Sequence, residues 1–164
     1  MKKHIISFEF TEYDGNQDLQ PEQLALLEKA FDACASAYAP YSLFRVGAAV
    51  ELNTGEIVLG SNQENIAYPS GLCAERVAVY AAMSQHPDST IRRIAISTSG
   101  EGKTSKVPAA PCGSCRQAIL EYELNQEYEI ELILGTPGDK IRVIQGIQYL
   151  LPLHFHEPGL RKDR

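Results

Sequence analysis

The chain has 164 residues, of which 44% are hydrophobic and 22% charged, and its formal net charge at pH 7 is −6. These values are typical of one soluble globular domain that is long enough to bury a core. An acidic chain without a basic patch lacks the phosphate-neutralising surface of a nucleic-acid-binding protein, so we expect no nucleic-acid partner. No apolar run approaches the roughly 20 residues that cross a bilayer, and the amino terminus lacks the apolar core of a signal peptide. We therefore expect no membrane contact and a cytoplasmic location, where thiols stay reduced.

The first twenty residues differ in character from the rest of the chain. Residues 4–10 alternate weakly between apolar and polar side chains, which is compatible with an added edge strand. Residues 13–18 are polar and indicate a linking segment. We expect residues 1–20 to form an amino-terminal extension and residues 21–164 to form the functional domain.

Apolar periodicity beyond this extension predicts an α/β fold with one mixed, five-stranded sheet. Pro21 occupies the favoured first position of a helix, and Cys34 lies on the apolar face of that helix as a predicted core residue. The second helix has an alanine-rich face, which implies close approach of another element or of another subunit. The predicted elements are a helix from Pro21 to Tyr38, strands at 46–52 and 56–60, a helix from Cys73 to His86, a strand at 91–97, a polar connection at 100–110, a helix from Cys112, strands at 129–134 and 140–144, and a helical turn at 147–151.

Three of the four cysteines lie in two short motifs at predicted helix starts. Residues 73–76 read Cys-Ala-Glu-Arg, and residues 111–116 read Pro-Cys-Gly-Ser-Cys-Arg. The Cys112-x-x-Cys115 spacing places two thiols one helical turn apart, and Cys73, about 40 residues upstream, can supply a third. Helix amino termini stabilise thiolates at all three positions.

A Cys-x-x-Cys pair by itself also fits a redox pair or half of a structural zinc site. A four-cysteine site is disfavoured because Cys34 belongs to a helix face, and a redox pair would leave the Cys73 motif unexplained. Three thiolates on Zn²⁺ leave one tetrahedral position open, as in catalytic zinc sites. Glu75 by itself could be a solvated carboxylate at a helix amino terminus, whereas beside such a site it could move the protons of a water molecule.

These motifs resemble those of the zinc-dependent nucleoside deaminases, in which Cys-x-Glu is followed by Pro-Cys-x-x-Cys. The resemblance covers residues 21–157 and is greatest to the short, three-cysteine, homotetrameric cytidine deaminases. It implies a three-layer α/β/α fold, zinc as cofactor, and hydrolytic deamination of cytidine and 2′-deoxycytidine in pyrimidine salvage. Zinc would activate water for attack on C4 of the pyrimidine, and Glu75 would be the catalytic acid and base.

The resemblance also assigns roles to residues around the metal. Arg76 would hydrogen-bond the ligand sulfurs and offset their negative charge. The polar loop at 61–69, which otherwise indicates only a turn, would bind the ribose 3′-hydroxyl through an amide and a carboxylate. Two aromatic residues of this substrate-binding set, Tyr68 and Phe155, would reach a neighbouring subunit's site. The implied substrate-binding residues are Phe44, Asn62, Glu64, Tyr68, Ala74 and Phe155.

Three alternatives to a cytidine deaminase remain at this point. One is deamination of another cytosine nucleoside, such as blasticidin S, because the deaminases that act on that compound share the zinc motifs. The others are an editing deaminase acting on nucleic acid and a catalytically idle zinc module. The acidic charge and the Asn62 and Glu64 pair argue against nucleic acid, and the presence of Glu75 argues against an idle module.

Overall fold

A computed structural model describes residues 1–100 and 107–160 of the chain. Six strands form one mixed sheet in the order β1-β6-β5-β4-β2-β3, in which β4 and β5 are parallel and the other neighbours are antiparallel. Most of the predicted connection at 100–110 lies outside the described residues. The helices and strands are β1 (Thr11–Asp14), α1 (Pro21–Ala33), β2 (Arg45–Leu52), β3 (Ile57–Ser61), α2 (Ala74–Gln85), β4 (Ile91–Ser99), α3 (Gly113–Glu123), β5 (Glu131–Gly135) and β6 (Lys140–Gln145).

Helices cover both faces of this sheet, so the fold is the three-layer α/β/α arrangement that the resemblance implied. Side chains alternate between the faces along each strand. In β4, for example, Ile94 and Ile96 pack with α2 and α3, whereas Ala95 packs with α1 on the other face. Among the described residues, no helix combines the length and the apolarity that crossing a lipid bilayer requires.

The predicted count of five strands is corrected to six, because β1 adds an edge strand. The predicted edge strand forms, but not at residues 4–10: β1 pairs antiparallel with β6 at Thr11–Asp14, so that it overlaps the first two residues of the predicted polar link. The Glu12 carboxylate accepts hydrogen bonds from Lys140 Nζ and Arg142 Nε, both at 2.8 Å. Cross-strand ion pairs therefore accompany this pairing, whereas the prediction relied on apolar alternation.

The first helix ends earlier than predicted. α1 stops at Ala33, and Cys34–Ser36 continue as one 3₁₀ turn. The chain then runs beside the segment that follows β3. There, Tyr38 N donates to Asn62 O at 3.0 Å, and Glu64 N donates to Tyr38 O at 2.8 Å. Cys34 is buried, which confirms it as a core residue.

The alanine-rich face of α2 packs against the sheet. Ala74, Ala78 and Ala82 are fully buried. A Cβ atom on Gly60 of β3 would lie 2.5 Å from Ala78 N and 2.7 Å from Ala74 O, so only glycine permits this close approach. The close neighbour of the alanine face is therefore another element of the same chain, and this packing places Cys73, at the start of α2, near the end of β3.

Arg93 is expected to stabilise the sheet far more than its sequence neighbour Arg92. Arg93 donates to Glu51 at 2.9 Å and to Glu131 at 2.7 Å, so it links β2, β4 and β5. Replacing Arg93 with methionine removes the partner of two half-buried carboxylates, which we expect to cost about 2 kcal/mol. For a chain of this size that loss lowers the melting temperature by roughly 4–8 °C. Thermal unfolding followed by circular dichroism measures the shift; the exposed Arg92→Met variant is the control, and equal melting temperatures would contradict the prediction.

Candidate active site

Two helix amino termini bring three thiols together. Cys73 is the N-cap residue of α2, Cys112 is the N-cap residue of α3, and Cys115 lies in the first turn of α3. Cys112 Sγ is 4.0 Å from Cys73 Sγ and 3.4 Å from Cys115 Sγ, and all three sulfur atoms lie within 4.8 Å of one another. None of the three forms a disulfide. We call Cys73, Cys112 and Cys115 the three-cysteine cluster.

The geometry of the three-cysteine cluster fits a tetrahedral zinc ion. Zinc–sulfur bonds of 2.3 Å at tetrahedral angles place the sulfur atoms about 3.8 Å apart. The separations found here bracket that value. Within residues 1–100 and 107–160, the cluster has no fourth histidine, cysteine or carboxylate, so the described donor set leaves one position open.

The hydrogen bonds within the cluster favour thiolate at Cys73. A hydrogen bond with the Cys115 thiol lowers the pKa of Cys73 to about 5, with further help from Arg76 and Cys112. The same hydrogen bond and burial raise the pKa of Cys115. The cluster therefore has one thiolate ready for a metal cation at neutral pH.

Glu75 lies in the first turn of α2, and only 5% of its surface is exposed. Burial raises the pKa of this carboxyl group, and the neighbouring charge of Cys73 raises it further. Its side chain is close enough to Cys115 to hydrogen-bond with that thiol. A carboxyl group with a raised pKa beside an open metal position is suited to accept and return a proton.

Arg76 is adjacent to Glu75 in the chain and lies beside the sulfur atoms. Its guanidinium lies close enough to Cys73 to lower the pKa of that thiol. Among the described residues, Arg76 Nε is a buried donor without a hydrogen-bond partner. Arg76 is thus the cation beside the cluster, where its charge opposes that of the thiolates.

A cavity of about 460 Å³ opens beside the cluster, within the usual size range of small-molecule sites. Three of the residues that the resemblance assigned to substrate binding line it, namely Asn62, Glu64 and Tyr68. Cys73 and Arg76 contribute to the same wall. The structure therefore brings these residues, which come from two segments of the sequence, to one cavity.

Glu64 also holds a turn, Tyr41–Ser42, that lines this cavity. Its carboxylate accepts hydrogen bonds from Tyr41 N at 2.9 Å, from Ser42 N at 3.3 Å and from the Ser42 hydroxyl group. The Ser42 and Tyr41 hydrogen bonds lower the pKa of Glu64, so the carboxylate is charged at neutral pH. Sequence reasoning missed Tyr41 and Ser42 as lining residues, because no local motif connects that turn with residue 64.

Like Glu64, Asn62 both lines the cavity and hydrogen-bonds the backbone of a neighbouring segment. Its Oδ1 accepts from Val46 N at 2.8 Å and its Nδ2 donates to Phe44 O at 3.0 Å. The amide thus orients the start of β2 while it faces the cavity. It retains one further N–H donor and one oxygen lone pair for a ligand.

Three of the predicted substrate-binding residues, Phe44, Ala74 and Phe155, do not line this cavity. Ala74 is fully buried against β3. Tyr68 is on the rim, 77% exposed, with its ring 6.4 Å from that of Tyr41. Phe155 is 73% exposed. The substrate-binding roles of all six residues, Asn62 and Glu64 included, stay predictions.

The fold and the cluster define a class of protein: an α/β enzyme with a three-cysteine group that can bind a metal, beside a buried carboxyl group. A family model described as the cytidine and deoxycytidylate deaminase zinc-binding region matches residues 21–128. A probable cytidine deaminase of Dictyostelium discoideum is 37% identical over 138 residues, which cover 82% of this chain and 86% of that protein. The chain belongs to the cytidine deaminase family.

Other relatives agree with this assignment. A cytidine deaminase of Halalkalibacterium halodurans is 38% identical over 96 residues, which cover 58% of this chain and 68% of that protein. The crystal structure of cytidine deaminase from Burkholderia pseudomallei matches with a TM-score of 0.68 and 36% identity, covering 84% of this chain and 100% of that one. That of Mycobacterium tuberculosis matches with a TM-score of 0.63 and 34% identity, covering 81% and 96%. These matches confirm the α/β fold.

Proposed function

We propose that this chain catalyses the zinc-dependent hydrolytic deamination of cytidine and 2′-deoxycytidine, releasing ammonia and forming uridine and 2′-deoxyuridine for pyrimidine salvage in the cytoplasm. The observation that carries the proposal is the three-cysteine cluster beside buried Glu75, with Cys73 of the cluster lining a cavity of about 460 Å³. The family membership supports the same reaction.

The side chains divide the chemistry between them. The three-cysteine cluster would hold zinc, which supplies the Lewis acidity that makes water a nucleophile near neutral pH. Glu75 takes a proton from the attacking water and delivers it to N3 of the pyrimidine as the new C4–O bond forms. Glu75 then passes the second proton of that water to the exocyclic nitrogen, so that the C4–N bond breaks and ammonia leaves. Arg76 offsets the negative charge that three thiolates place on the metal, which preserves its Lewis acidity.

The residues of the cavity wall favour a nucleoside over a nucleic acid. Glu64 is charged, and with Asn62 it offers an acceptor and a donor to a sugar hydroxyl. A phosphate at the 3′ position would meet the negative charge of Glu64. We extend the proposal to a homotetramer with shared sites, in which the exposed Tyr68 and Phe155 side chains each reach a neighbouring subunit's cavity.

Direct assays test the reaction. Loss of absorbance near the cytidine maximum is expected on mixing the protein with cytidine, and a chelator should abolish it. Parallel assays with blasticidin S distinguish cytidine from this alternative substrate, because they show which of the two compounds the protein deaminates. Light scattering measures the oligomeric state, and a fully active monomer would contradict the shared sites.

Glu64→Gln is expected to erase discrimination between cytidine and 3′-deoxycytidine. If Glu64 binds the 3′-hydroxyl group, the wild-type enzyme should prefer cytidine in kcat/KM by roughly 10²-fold or more, because hydrogen-bonding sites reject analogues that lack the hydroxyl group. The measurement is the ratio of kcat/KM for cytidine to kcat/KM for 3′-deoxycytidine. A disturbed Tyr41–Ser42 turn would lower activity on both substrates alike, and the ratio cancels that common loss. The exposed Glu127→Gln variant is the matched control. An unchanged ratio in Glu64→Gln would show that Glu64 does not bind the sugar.

A further inference from the structure

One guanidinium group joins the metal-ligand turn to a distant part of the chain. Arg116 follows Cys115 in α3, and its Nε donates to Pro111 O at 2.8 Å. Pro111 immediately precedes Cys112, so this bond holds the peptide group that carries one of the three thiols. The Nη1 atom of the same side chain donates to Leu150 O at 2.6 Å.

Leu150 belongs to a segment that lies along α3, residues 147–155, which we call the carboxy-terminal segment. At its start, the buried Glu123 carboxylate of α3 accepts from Ile147 N at 2.9 Å and from Gln148 N at 3.0 Å. At its end, Gln117 Nε2 donates to Phe155 O at 3.2 Å. Three side chains of α3 therefore hold the backbone of this segment at its start, middle and end.

Leu150 and Leu151 are partly buried against the core, whereas Leu153 and Phe155 are both largely exposed. The exposed end of the segment is flanked by backbone hydrogen bonds to α3 at Leu150 and at Phe155. The Leu150 bond comes from Arg116, which also bonds the Cys112 turn. A displacement of either carbonyl group would distort the planar, two-donor geometry that the guanidinium group makes with both.

We propose that Arg116 is a positioning residue that couples metal retention by the three-cysteine cluster to the ordering of the carboxy-terminal segment. This inference rests on the proposed zinc site. Because such coupling is reciprocal, zinc binding orders the segment, and loss of the Arg116 hydrogen bonds speeds zinc release. The exposed Phe155 side chain is thereby held at a fixed place relative to the metal.

Two measurements on the zinc-loaded protein test the coupling. In the wild type, removal of zinc is expected to speed hydrogen–deuterium exchange in peptides from residues 147–155. In Arg116→Gln, exchange there is expected to be fast with or without zinc, and zinc release to a colorimetric chelator to be about tenfold faster, as for other residues that orient metal ligands. Arg116→Lys keeps the positive charge but lacks the fork that reaches two carbonyl groups, so it should also lose the zinc dependence of exchange.

The control variant is Gln117→Ala, which removes the bond to Phe155 O without touching the Cys112 turn. It should speed exchange at the end of the segment and leave the zinc release rate at the wild-type value. The coupling would be overturned if both Arg116 variants released zinc at the wild-type rate and still showed zinc-dependent exchange in residues 147–155. If Arg116→Gln failed to fold, the exchange and zinc release measured in Arg116→Lys would decide whether the coupling exists. A wild-type protein without bound zinc would instead overturn the proposed function, and the coupling with it.

Discussion

Replacing Glu75 with glutamine is expected to lower kcat for cytidine by roughly 10³-fold, in the range that a lost acid–base group produces, without loss of zinc. The amide keeps the shape of the carboxyl group but cannot accept a proton from water or return one to the pyrimidine. Glu75 is buried beside Cys115 without being one of the clustered ligands, so metal retention should not depend on its charge. Steady-state kinetics and zinc analysis of the same preparation provide both measurements.

The control for this variant is Glu28→Gln, on the exposed side of α1, which should retain wild-type kinetics. The two substitutions change the net charge equally, so a difference between them reports the position of the carboxyl group. A Glu75→Gln enzyme with a tenth of wild-type kcat would show that another group moves the protons. A variant that lost its zinc would show that Glu75 supports the metal rather than the reaction.

Replacing Cys115 with serine is expected to remove both zinc and activity. Cys115 is the buried member of the three-cysteine cluster, and its Sγ lies 3.4 Å from that of Cys112. A serine hydroxyl group is a far weaker ligand than a thiolate, and two remaining thiolates do not complete a site of three protein ligands. We expect zinc to fall from about one ion per chain to less than about a tenth of that, with deamination below detection.

The matched control is Cys34→Ala, which removes the one cysteine outside the cluster. Cys34 is buried between α1 and β4, where its thiol contacts Ala30 O and Ser97 O. Its loss should leave the zinc content unchanged, although a small cavity lowers the melting temperature. Full zinc content in Cys115→Ser, or loss of zinc in Cys34→Ala, would contradict the ligand assignment.

The helix starts at Cys73 and Cys112 could be predicted because the signals are local. Capping positions, proline placement and apolar periodicity all act within a few residues. The strands from β2 to β6 followed from the same kind of pattern, with differences of one or two residues at their ends. The predicted fold class and the family resemblance were therefore both confirmed by the structure and the comparisons.

Local patterns failed where a distant partner selected the conformation. β1 forms at Thr11–Asp14 rather than at residues 4–10, and Glu12 there pairs with side chains 128 and 130 residues away. The same holds at the cavity, where the Tyr41–Ser42 turn is held by Glu64 from another segment.

The sequence by itself predicted a three-cysteine metal site, because the spacing within each motif specifies which side chains share a helix turn, and the structure brings those three thiols together. The predicted role of Glu75 came from the resemblance to the deaminases. The sequence was not enough to reveal that Arg116 connects the Cys112 turn with Leu150, 34 residues further along the chain. That contact, like the cavity wall and the edge strand, exists only once the sheet has brought separate segments together. Hydrogen bonds between segments distant in sequence leave no periodic signal, so only the tertiary structure decided them.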